Sequence, residues 1–211
     1  MNHLWKYFLM NKRNPLILAT SLLTLNLISL LIIYYLLPQL FIIKDKQMTN
    51  TLIEKSLGLI SIIILGLVLV VILNLLVSFV LRHYLFNIDR QLTLIMGLLR
   101  VMYSVVLLIG VVILILDTNY EGVLSFYVIY FCSLSFLGLN NILISILLYR
   151  ALDINRIVSV LLMICGMGYI LGSIYSFITL TLIPYMMVFS LGEIVFLLWL
   201  MSVGRQKQIR I

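Results

Sequence analysis

Charges in this chain are confined to the seams between long apolar stretches. The stretches lie at about 16–37, 56–81, 91–116, 123–149, 157–180 and 185–203, the third interrupted by Arg100 and the sixth by Glu193. Each approaches or exceeds the roughly 20 residues needed to cross a bilayer core of about 30 Å. The apolar runs are continuous rather than alternating, which excludes membrane strands. Composition bears this out. The 211 residues are 64% hydrophobic and 10% charged, against about half and a quarter in a soluble domain. That surplus cannot all be buried in a domain of this size, so much of it must face lipid. The expected fold is all-α, a polytopic transmembrane bundle of six helices forming one integral membrane domain over residues 1–211.

The seams set the topology. Residues 1–13 are basic with aromatic anchors, and Asn14–Pro15 suits a helix start. The first run lacks an Ala-x-Ala cleavage site and is too long for a signal-peptide core, so it reads as an uncleaved span. Pro38 stops it, and residues 38–55 form the longest polar connection. RHYLFNIDR, the acidic DTNYEG turn, RALDINR and a turn near Pro184 separate the later spans, and RQKQIRI closes the chain. Cytoplasmic termini place ten Lys and Arg inside, from Lys6 to Arg210, against Lys44, Lys46 and Lys55 outside. The positive-inside rule therefore puts both ends in the cytoplasm. The net charge of +7 is spent on orientation rather than on nucleic acid.

A few polar residues interrupt the apolar runs, and depth relates them. Arg100 lies ten residues past Arg90 and Asn140 ten before Arg150, each ~15 Å above the inner boundary at ~1.5 Å per residue. Glu193, twelve before Arg205, is ~18 Å above it, and Asn74, eight before Arg82, ~12 Å. An unpaired charge at the bilayer centre costs about 3 kcal/mol on insertion scales. Arg100 and Glu193 are the opposite charges at matching depth, so an intramembrane ion pair is expected, with Asn140 or Asn141 satisfying leftover donors. Such a pair either fixes helix register alone or lines a polar cavity. Thr93, Gly97, Arg100 and Ser104 share one helix face, as do Ser133, Leu137, Asn141 and Ser145. Gly168, Gly172 and Ser176 repeat every four residues, a small-residue ridge for close packing. Asn74, Tyr103 and Tyr169 read first as packed residues with local hydrogen bonds.

LGLNNILISILLYR, VSVLLMICGMGYILGS and LGEIVFLLWLMSVG resemble the bacterial membrane-protein family called domain of unknown function 4386. The resemblance rests on Tyr149–Arg150, on Gly166-Met167-Gly168-Tyr169, on Glu193 with Trp199–Leu200, and on Leu98-Leu99-Arg100, and covers about residues 15–205. It implies that both Arg100 and Glu193 are family features. Asn140 stands where the family often has His, Ser145 where it often has Gly, and Asn155 where Pro is usual before Arg156. The resemblance implies a fold and a location, and no established activity.

Catalytic patterns are missing. There is no HExxH, GxSxG, P-loop or Rossmann glycine pattern. His3 and His83 lie at the inner boundary, which excludes haem held mid-membrane by a histidine pair, and Cys132 and Cys165 fall in apolar runs without metal spacing. The expectation is a non-enzymatic accessory, immunity or interaction protein of the bacterial cytoplasmic membrane. It would need no cofactor, and its partners would be the lipid bilayer and a membrane protein or a second copy. The alternative is a small transporter or a small-molecule or lipid binder that uses the Arg100–Glu193–Asn140 slab. A lipid-modifying enzyme ranks last, for want of a nucleophile and base.

Overall fold

The computed structural model describes residues 14–42, 45–86, 88–150, 156–179 and 191–209. Among them there is no strand. Helix α1 (Asn14–Leu30) continues through a π-helical stretch (Leu31–Leu36) into a last turn (Leu37–Leu40). Then come the short α2 (Lys46–Lys55) and the long α3 (Leu57–Leu85), α4 (Arg90–Leu116), α5 (Tyr120–Arg150) and α6 (Arg156–Thr179), followed by α7 (Leu191–Ile209). Five helices are long and apolar enough to cross a membrane, starting with Leu18–Leu40, while the apolar part of α7, Gly192–Ser202, is shorter. The beginning of the sixth predicted span, the turn near Pro184, the basic segment 1–13, Lys44 and most of the RALDINR loop lie outside the described residues.

The seams show why the helices start and stop where they do. Pro38 has no N–H, and in α register its ring would strike the carbonyl of Tyr34. The widened π turn precedes it, with Leu37 N–H bonded to Ile32 O, one of the usual ways a helix absorbs such a conflict. Asp89 caps α4 by accepting from Gln91 N and Leu92 N, and its other oxygen takes Arg150 Nη1 at 2.8 Å. The α4 start and the α5 end are thereby tied together. Asn119 caps α5 through Glu121 N and Gly122 N. The run RHYL, expected to lie in a loop, instead extends α3 to Leu85, because no breaker occurs before Asn87.

The polar connection 38–55 is mostly helical. Asp45 caps α2 by accepting from Met48 N, Asn50 Oδ1 accepts from Tyr120 N, and Lys46 Nζ meets Glu121 Oε1 at 2.7 Å. The hydrogen bond and the charge of Glu121 hold the Lys46 ammonium above its ordinary pKa. The tie is therefore complete below the lysine range and is lost as pH rises through the raised folded value. Both side chains are exposed, and such pairs contribute little. Lys46→Met is expected to leave the unfolding temperature of the bundle unchanged at pH 7 and to speed amide exchange in α2 alone.

The long helices close into a ring. α1 packs on α3, α3 on α4, α4 on α5, α5 on α6, α6 on α7, and α7 returns to α1. The outer faces are apolar: Leu65, Leu116 and Ile178 are each more than 70% exposed, which only lipid makes favourable. Most polar groups of the long helices turn inward, while Thr20, Thr24 and Ser61 stay exposed. At the α3–α4 seam Ser78 Oγ donates to Gly97 O and Thr93 Oγ1 to Leu85 O. At the α5–α6 seam Ser145 and Ser159 donate to each other's carbonyls, at 2.7 and 2.6 Å. Ser173 donates to Phe131 O and lies 2.7 Å from Ser135.

Between those serine clusters α5 and α6 touch backbone to backbone. A Cβ on Gly138 would sit 2.6 Å from Gly166 O, and one on Gly166 would sit 2.6 Å from Gly138 O. Gly168, Gly172 and Ser176 are buried on α6 as a ridge requires. The Gly138–Gly166 contact, however, lies off that four-residue repeat.

Candidate functional site

The slab residues converge on the inside of the ring. Arg100 on α4 is 3% exposed, and its Nη1 donates to Asn140 Oδ1 at 3.3 Å. Asn140 Nδ2 donates to Met96 O at 2.7 Å, which fixes the amide with its oxygen toward Arg100. Next to it, Asn141 points elsewhere, since consecutive residues on a helix diverge by about 100°. Its Nδ2 donates to Glu193 Oε1 of α7 at 2.7 Å and lies 3.6 Å from Cys165 Sγ of α6.

Arg100 and Glu193 are not in direct contact. Among the described residues, the ion pairs within 4.0 Å are Lys46–Glu121 and Arg150–Asp89. The reason is topological. α4 and α7 are not neighbours in the ring, and α5 and α6 lie between them in its order. The adjacent asparagines of α5 each take one charge. The two charged groups then face a common cavity of about 10 Å³, shared with Asn26, Asn141 and Leu22. Arg100 Nε has no partner among the described residues.

Asn74 does not belong to this site. It is fully buried on α3, donates to Val70 O of its own helix at 3.1 Å, and lines neither cavity. Depth alone had grouped it with the slab, but its azimuth on α3 separates it. Ser104 likewise bonds within its helix, to Arg100 O.

A larger chamber, of about 70 Å³, adjoins the first and shares Asn26 with it. Tyr34, Tyr103, Tyr130 and Tyr169 stand around it with Ser29, and Leu25, Leu30, Leu134, Leu137 and Ile194 complete the wall. Five of the six ring helices contribute. Tyr103, Tyr130 and Tyr169 are at most 9% exposed, yet no phenol of the four has a hydrogen-bond partner among the described residues. Ser29 Oγ is buried and also without one. The expected local bonds of Tyr103 and Tyr169 are not found among the described residues. Tyr34 reaches the chamber from the π-helical stretch, and such widened turns recur at functional sites.

The sequence held a signal for part of this. Tyr103 lies thirteen residues past Arg90 and Tyr169 thirteen past Arg156, so both stand ~20 Å from the basic ends of their helices at ~1.5 Å per residue. Tyr103 is also three residues on from Arg100, on the same helix face. Asn26, Ser29 and Tyr34 carried no such mark, because the face that α1 presents is set by its place in the ring.

Gly192 seats α7. A Cβ there would lie 2.5 Å from Leu161 O and 2.6 Å from Cys165 Cβ. Gly192→Ala is expected to push α7 off α6, draw Glu193 from Asn141 and cost about 1–3 kcal/mol, read as a lower unfolding temperature in detergent. Among the described residues no group of three or more His, Cys, Asp or Glu could hold a metal ion.

Comparison with known proteins gives a family and nothing finer. No curated protein and no solved structure matches the chain. The family described as Domain of unknown function (DUF4386) matches residues 17–204, a region that includes every residue of both cavities. With nearly its whole length covered, the chain belongs to that family.

Proposed function

We propose that this chain is a non-catalytic, multi-pass accessory protein of the bacterial cytoplasmic membrane, with both termini in the cytoplasm, that takes up a small molecule in its mid-membrane chamber. The observation that carries this reading is the set of unpartnered hydroxyls around the chamber. Polar groups inside a bilayer are expensive, and their usual uses are hydrogen bonding to a neighbouring helix or to a guest. The asparagines and interface serines of this bundle do the first. The four phenols and Ser29 have no hydrogen-bond partner among the described residues, which favours the second. Arg100 and Glu193 act here as a pair coupled through Asn140 and Asn141, holding α4, α5 and α7 around the chamber. The ten-to-three distribution of Lys and Arg supports the orientation.

Thiol accessibility tests the reading. In a Cys132→Ala/Cys165→Ala background, Ser29→Cys is expected to react with methyl methanethiosulfonate at least tenfold faster than Leu147→Cys, a position with no exposed surface. Filling the chamber with Ile194→Trp should abolish the difference. Equal, slow rates at both positions would count against a chamber that admits small molecules.

A further inference from the structure

We propose that the chamber selects an uncharged, hydrogen-bonding solute of a few heavy atoms, of the polyol or primary-amide class, over ions of the same size. This deepens the small-molecule reading above and rests on it. Three observations carry it.

The first is the chemistry of the wall. Its polar members are four phenols, one hydroxyl and one carboxamide, all neutral and all able to donate as well as accept. A ligand with several hydroxyl or amide groups meets a partner in either sense around its whole periphery. A carboxylate would find only donors useful, and an ammonium only acceptors.

The second is where the charges stand. Arg100 and Glu193 line only the smaller cavity, and Asn26 is the one residue common to both. Asn141 already occupies one oxygen of Glu193, and Asn140 one nitrogen of Arg100. An anion in the chamber would lack a cation at its wall, and a cation would lack a carboxylate. Each would have left water for a site without a counter-charge, which is costly.

The third is size. The chamber, at about 70 Å³, is roughly half the 150 Å³ of an engineered apolar cavity that admits benzene. A lipid headgroup does not fit, whereas a solute the size of acetamide or glycerol is of the right order. The apolar part of the wall, Leu25, Leu30, Leu134, Leu137 and Ile194, suits the carbon skeleton of such a solute.

Saturation-transfer NMR on the protein in lipid nanodiscs tests this with four probes: acetamide, glycerol, acetate and ethylammonium. Acetamide and glycerol are expected to give signals above those of empty nanodiscs, falling at least fivefold in Tyr103→Phe/Tyr169→Phe. Acetate and ethylammonium are expected to stay at the empty-nanodisc level. Because the tyrosine variant removes two hydroxyls together, Ile194→Trp serves as a second variant that fills the chamber and keeps every hydroxyl. It should silence the same two probes. If the charged probes bind as well as the neutral ones and are lost in the same variants, the selectivity is wrong and the chamber reading stands. If Ser29→Cys is reactive but none of the four probes binds, the solute class is wrong. If Ser29→Cys is also inert, the binding reading falls with it.

Discussion

Asn140→Leu is expected to cost the folded bundle about 3–5 kcal/mol, the range found when a buried charge loses its partner. The side chain does two things at once: it accepts from Arg100 Nη1 and donates to Met96 O. Leucine removes both and leaves a guanidinium that is 3% exposed without the one acceptor it has among the described residues. Equilibrium unfolding in mixed micelles, read by Trp fluorescence, measures the loss. The diagnostic control is Arg100→Leu/Asn140→Leu. With the charge gone there is nothing to strand, so the double variant should be more stable than Asn140→Leu alone. A double variant that is worse than the single would mean the guanidinium is satisfied by other groups. The same geometry speaks to an interchange of charges. A direct ion pair would survive Arg100→Glu/Glu193→Arg, but here a glutamate at 100 would meet the Asn140 oxygen, and an arginine at 193 the Asn141 amide hydrogens. The interchange is therefore expected to restore nothing.

Gly166→Ala is the second large effect. In an isolated helix the change would stabilise by about 1 kcal/mol. In this seam the new methyl meets a carbonyl oxygen at 2.6 Å and the side chain of Ile142 at 2.7 Å. A backbone carbonyl cannot step aside, so α5 and α6 must separate, and overpacking of this kind costs about 1–3 kcal/mol. The serine bonds on either side, Ser135–Ser173 and Ser145–Ser159, would stretch with it. Gly138→Ala should do the same, and the two together should cost less than their sum, because either one already opens the same contact. Unfolding midpoints of the two single variants and the double variant decide this. Full additivity would show that the two glycines are not opposed.

How much of this was legible depends on which physics each residue obeys. Five of the spans were, because membrane insertion depends on local hydropathy and needs no knowledge of neighbours. Arg100 and Glu193 stood out for the same reason: a charge in lipid must be accommodated somewhere. Depth also follows from counting residues along a helix, and it correctly grouped Asn140 and Asn141 with the charges. Azimuth does not follow from counting alone. It separated Asn74, whose amide bonds its own helix, and it sent two adjacent asparagines to different partners. The direct Arg100–Glu193 contact was expected because depth cannot reveal that α5 and α6 come between α4 and α7. The chamber was hidden more deeply. It is a property of five helices together, and Tyr34 enters it through a π-helical stretch whose only mark in the sequence is the proline that follows. The Gly138–Gly166 contact broke the four-residue repeat that made Gly168 and Gly172 conspicuous.

The ring order has a consequence for how the molecule is made. Every long helix packs against the one synthesised before it, so each can dock as it leaves the ribosome, and contacts of short sequence range form quickly. Arg100 enters the bilayer on α4 before α7 exists. Its first companion is Asn140, delivered by the very next helix, and for a time that amide is the acceptor that keeps the arginine in place. Glu193 arrives last, already matched to the waiting amide of Asn141, as α7 closes against α1. On this schedule Asn140 is the companion that holds Arg100 in the bilayer until the ring is shut.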